Sequence, residues 1–143
     1  MRVGLLKPVS TAGLCFLFVV IITVSYPAGA QSHSDEQAAE YRRISASQAF
    51  LMMTQTPAVI VLDVRTRDEF ITRRIDGAIL IPHNQISQRA EQELPDKNSM
   101  ILIYCQGGVR SEQAARTLIN LGYTNIFDFG GINDWWYSTV SGR

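Results

Sequence analysis

The stretch Met100-Ile101-Leu102-Ile103-Tyr104-Cys105-Gln106-Gly107-Gly108-Val109-Arg110-Ser111 decides the fold. Residues 100–104 form an unbroken apolar run, the mark of a strand buried on both faces of a parallel sheet. Residues 105–110 hold two glycines and an arginine and predict a loop. Residues 111–121 have helical spacing, with Gly122 in the C-terminal capping position. Strand, glycine loop and helix in succession are a building unit of α/β sheets.

The same alternation extends outward. Upstream, residues 58–62 (Ala-Val-Ile-Val-Leu) give a second apolar strand, closed by Asp63-Val64-Arg65. Ser45 with Gln48, and Thr66 with Glu69, have the spacing of a helix-starting capping box. The first helix presents Ala49, Phe50, Met52 and Met53 and ends before Pro57; the methionines are read as core filler. Gly77 marks a turn before a short strand over 78–81, ended by Pro82, and a polar helix over 86–94 stops at Pro95. Downstream, a strand is expected over 124–129, a turn at Gly130-Gly131 and a final helix over 132–137. The prediction is an α/β fold, a three-layer sandwich with a largely parallel central sheet flanked by helices.

The chain has 143 residues, enough for one domain. Its 13 basic and 13 acidic residues balance, which argues against a nucleic-acid binder, because backbone affinity needs clustered cations. Arg2 and Lys7, an apolar run over 14–24 and the small residues Ala28-Gly29-Ala30 follow the order of a secretory signal peptide. Residues 1–30 are read as that signal, 31–40 as a polar linker and 41–143 as the folded domain. Leu14 before Cys15 is too large for a lipoprotein cleavage site. Cleavage near Ala30 would make the protein periplasmic or secreted. The alternative is an N-terminal membrane anchor, for which the run is short against about 30 Å of hydrocarbon. Cleavage would leave 11 basic and 13 acidic residues, since Arg2 and Lys7 depart with no acid, and one cysteine, Cys105. An odd thiol in an oxidising compartment is either inert core or a reactive group.

The surroundings of Cys105 favour reactivity. A cysteine where a strand meets a helix faces the unpaired N–H groups and positive end of that helix. Glycines let successive N–H groups turn inward into an anion-binding nest. Such a site holds the thiol below its ordinary pKa of about 8.5. Arg110 adds a permanent charge at the loop's mouth. A buried, inert cysteine would need neither the glycines nor the arginine.

Cys105-Gln106-Gly107-Gly108-Val109-Arg110-Ser111 resembles the Cys-x-x-Gly-x-Arg-Ser active loop of single-domain rhodaneses. The likeness continues through Leu62-Asp63-Val64-Arg65, Glu69-Phe70, Gly77-Ala78-Ile79, Ile81-Pro82, Leu121-Gly122-Tyr123, Gly130-Gly131 and Trp135, covering about residues 41–137. The resemblance implies a rhodanese sandwich and sulfurtransferase activity of the thiosulfate:cyanide type, with a persulfide on Cys105 as nucleophile. It implies that Gln106, Gly107, Gly108, Val109 and Arg110 cradle the terminal sulfur, and that Asp63 and Arg65 order the site from nearby. Arg73-Arg74-Ile75 stands where the family often has Gly-His-Ile. The loop lacks the lysine or second arginine of the family's good thiosulfate binders, which argues against thiosulfate as the physiological donor.

No cofactor is expected, and His33 and His83 are too far apart in sequence to suggest a metal cluster. The expected partners are a small sulfur donor and an acceptor such as cyanide or a thiol, including a protein thiol. Two other functions use the same cysteine. One is a sulfur-relay or binding module without turnover. The other is a phosphatase or arsenate reductase, which has a loop one residue longer than the four residues between Cys105 and Arg110. Trp135 is expected in the core, whereas Arg42-Arg43 and Arg73-Arg74 read as solvated surface.

Overall fold

The computed structural model describes residues 40–142; the expected signal peptide and most of the linker lie outside them. Five parallel strands form one sheet: β1 (Arg42–Arg43), β2 (Ile60–Asp63), β3 (Ile79–Leu80), β4 (Ile101–Cys105) and β5 (Ile126–Gly131), in the order β1-β5-β4-β2-β3. The helices are α1 (Ala46–Gln55), α2 (Arg67–Thr72), α3 (Ile86–Glu93) and α4 (Val109–Asn120). Among the described residues no helix is long and apolar enough to cross a membrane.

Strand β4 lies at the centre, and all five of its residues are buried. Its side chains alternate between the sheet's two faces, as the strand period of two requires. Ile101, Ile103 and Cys105 enter the core shared with Ala90, Leu94, Ala114 and Leu118 of the α3/α4 layer. Leu102 and Tyr104 enter the opposite core with Ala49 of α1, Phe129 and Trp135. Cys105 therefore stands on the face that α4 covers.

Both capping boxes form. Ser45 and Gln48 bond reciprocally at the start of α1, and Thr66 and Glu69 do so at the start of α2. The methionines at 52 and 53 pack against the α1-side core, as expected. Several boundaries differ from expectation. Cys105 is the last residue of β4 rather than the first of the loop, and α4 begins at Val109, two residues early, because Gly108 (φ 102°) turns the chain directly into the helix. Gly130-Gly131 continue β5 instead of forming a turn; Gly130 takes φ 83° and Gly131 pairs beside Cys105. The expected helix over 132–137 is a single 3-10 turn, Ile132–Asp134. Trp135 leaves it in extended conformation, which carries its ring into a cluster with Phe50, Phe129 and Tyr137. Trp135 is buried and Trp136 is exposed.

The two arginine pairs lie at the surface, as expected, and also take structural roles. Arg42 and Arg43 are strand β1, with Arg42 over the Phe127 ring and Arg43 paired to the buried Asp128 at 3.2 Å. Arg74 forms an antiparallel bridge with Val140, and its side chain donates to the Gly142 carbonyl at 2.7 Å. With the Gly142 N–H bonded to the Ile71 carbonyl, the C-terminal segment straps α2 to the body.

Candidate active site

Where β4 ends, the chain must reverse from strand to helix within three residues. Gly108 makes this possible: its left-handed backbone aims its own N–H at Cys105 Sγ, 3.0 Å away. Burial would push the Cys105 thiol up. The N–H groups of Ser111, Gly108 and Gly107 and the Ser111 hydroxyl outweigh that effect, so its pKa falls below the ordinary thiol value. The thiol is 1% exposed and is the free cysteine of the described residues.

The floor beneath the loop is β5. A Cβ on Gly131 would overlap the Gln106 carbonyl oxygen and lie 2.8 Å from Gly107 Cα, so only glycine fits. Ser111, fully buried, donates to the Gly108 carbonyl at 2.9 Å and ties the helix's first turn to the loop. Val109 directs its side chain to solvent, 70% exposed, and offers the site only backbone.

Arg110 does not stand free at the mouth. Its guanidinium makes two bonds, 2.7 and 2.8 Å, to the carboxylate of Glu69. The Arg110 guanidinium, aided by the N–H and hydroxyl of Thr66, holds the Glu69 carboxyl down at about 2 despite some burial. Glu69 thus serves as both helix cap and partner of the loop's cation. Sequence supplied only the first role, since the second joins residues 41 positions apart.

Asp63 and Arg65 form a buried ion pair at the end of β2, with side chains 0% and 2% exposed. Arg65 then reaches the loop, donating to the Gln106 side-chain oxygen at 3.2 Å. Gln106 in turn donates to Asn133 Oδ1 at 2.6 Å. Asp63, Arg65, Gln106 and Asn133 are one chain of contacts that braces the loop from two sides. The structure thus gathers the anticipated residues at one sheet end and adds Glu69, Ser111, Gly131 and Asn133. Glycine at 131 and serine at 111 were visible in sequence, but nothing local marked Asn133. Among the described residues no group of three or more His, Cys, Asp or Glu could hold a metal ion.

This geometry can stabilise a thiolate and then a second sulfur on it, within a ring of N–H donors. The sequence profile of the rhodanese-like domain matches residues 45–138, and the chain belongs to that family. It is 36% identical over 73 residues to thiosulfate sulfurtransferase PspE of Escherichia coli (strain K12), spanning 51% of this chain and 70% of that protein. It is 32% identical over 104 residues to the putative sulfur carrier protein YrkF of Bacillus subtilis (strain 168), covering 72% of this chain and 55% of that one. A solved rhodanese with anions from E. coli superposes with a TM-score of 0.56 at 34% identity, over 59% of this chain and all of that one.

Proposed function

We propose that the chain is a rhodanese-type sulfurtransferase and that Cys105 carries the transferred sulfur. The observation that supports this most is the buried Cys105 Sγ, held below its ordinary pKa by inward-turned N–H groups. In the first half-reaction the Cys105 thiolate attacks a donor's sulfane sulfur. A new S–S bond forms, and the rest of the donor leaves with the electron pair of the broken bond. In the second, an acceptor nucleophile attacks the outer sulfur and the Cys105 thiolate is the leaving group. No external oxidant or reductant is required.

The loop Gln106–Arg110 surrounds that outer sulfur, while Asp63 and Arg65 hold the loop through Gln106. A phosphatase reading is less well supported. Four residues separate Cys105 from Arg110, and the arginine that would clamp an oxyanion is engaged by Glu69. The similarity to a putative sulfur carrier favours a second reading, in which the persulfide is delivered to a protein thiol.

Purified protein exposed to thiosulfate or polysulfide should gain about 32 Da, one sulfur, at Cys105. Cys105→Ser should gain none. Wild-type transfer rates in the serine variant would overturn the assignment. Transfer only to protein thiols would select the carrier reading. Export is proposed on the N-terminal pattern: protein recovered from a Gram-negative periplasm should begin at Gln31 by intact mass, whereas retention of residues 1–30 in membranes would mean an anchor.

A further inference from the structure

Beside the loop lies a recess of about 380 Å³, walled by Asp68, Glu69 and Arg73 of the α2 region, by Gln106, and by Ile132 of the 3-10 turn. Its volume falls in the range of about 300–1,000 Å³ typical of small-molecule sites. It lies beside the start of the loop, because Gln106 lines it and follows Cys105 directly, and Glu69 on its wall is bonded to Arg110.

The recess charges fall into two kinds. Arg65 and Glu69 are neutralised by Asp63 and Arg110. Asp68 and Arg73 have no ion-pair partner among the described residues. The Arg73 Nη2 donates to the Ile132 and Trp135 carbonyls at 3.2 and 3.5 Å, which positions the guanidinium without cancelling its charge. The recess thus offers one uncompensated charge of each sign. A plain dianion would meet Asp68 as well as Arg73 and gain little, whereas a molecule carrying both an ammonium and a carboxylate gains at each.

We propose that this recess is the acceptor subsite and that it recognises a zwitterionic α-amino-acid thiol of the cysteine type, with Arg73 taking the carboxylate and Asp68 the ammonium. The proposal rests on the sulfurtransferase reading. The bound thiolate attacks the outer sulfur of the Cys105 persulfide. An S–S bond forms to the acceptor, the bond to Sγ breaks, and Cys105 leaves as thiolate.

The test separates loading from discharge. Protein is loaded with thiosulfate or polysulfide, the persulfide is quantified by intact mass, and its discharge is followed with four thiols. L-Cysteine carries both charges, 3-mercaptopropionate only the carboxylate, cysteamine only the ammonium, and 2-mercaptoethanol neither. Arg73→Gln should slow discharge by cysteine and 3-mercaptopropionate about three- to tenfold relative to 2-mercaptoethanol, and Arg73→Lys should largely restore it. Asp68→Asn should do the same for cysteine and cysteamine. Equal changes for all four thiols, or none, would overturn the proposal.

A second arm does not depend on loading. S-methyl-L-cysteine, which cannot react, should shift the Gln106 and Asn133 side-chain amide resonances of unloaded protein, and Arg73→Gln should weaken that binding. Failure to load from both thiosulfate and polysulfide overturns the sulfurtransferase reading. Absence of these shifts in wild-type protein overturns the subsite.

Discussion

At the scale of single residues, the thiol and its donors fix the pH behaviour. The thiolate is the form that reacts, so alkylation of Cys105 by iodoacetamide climbs with pH and levels off above its folded-state pKa. Because that pKa is lowered, the climb lies at lower pH than for a free thiol. Ser111→Ala loses the hydroxyl, keeps the backbone N–H and should move the midpoint upward. The linked stability has the same sign. It is present above the unfolded thiol's pKa and lost as pH falls through the lowered folded value. The Asp63–Arg65 pair behaves differently, being buried on both sides. Asp63→Ala strands a guanidinium in the interior and should cost about 3–5 kcal/mol in urea unfolding.

At the scale of elements, α2 has six residues and no buried side chain, so it depends on its cap and on the C-terminal strap rather than on a core. Glu69→Gln tests how its cap is shared. The glutamine still offers an oxygen to the Thr66 N–H but no longer neutralises Arg110. Persulfide formation from thiosulfate should therefore accelerate about three- to tenfold at low ionic strength, and the gain should shrink near about 0.5 M salt. In the wild type, the Glu69 carboxylate's contribution is complete above pH 4.5 and vanishes as pH falls through about 2. The Arg110 clamp should accordingly survive at any pH where the protein is handled. Both caps were readable because they are written in four consecutive residues. The pairing of Glu69 with Arg110 was not, because it depends on how two elements pack.

The whole molecule shows the same division. The β-branched run of β2 and the apolar run of β4 announced a parallel sheet, and Cys105 with its glycines pointed to the candidate site. Strand β1 was hidden: Arg42 and Arg43 have exposed side chains and become a strand only by pairing with the last strand, some 85 residues away. Residues 132–137 misled for a related reason. Their apolar spacing suits a helix, yet the aromatic cluster around Trp135 wins once the cores assemble. The strap is equally non-local. Removing residues 140–143 deletes the Val140 bridge and the Gly142 bonds, which should destabilise the domain by about 2 kcal/mol in urea.

The two outermost strands have a further consequence. Each is two residues long, so the sheet ends on both sides in a ladder too short to template another chain. The borders carry the charged Arg42 and Arg43 on one side and stop at Pro82 soon after Leu80 on the other. Among the described residues the sheet therefore offers little free edge on which a strand of another chain could extend it.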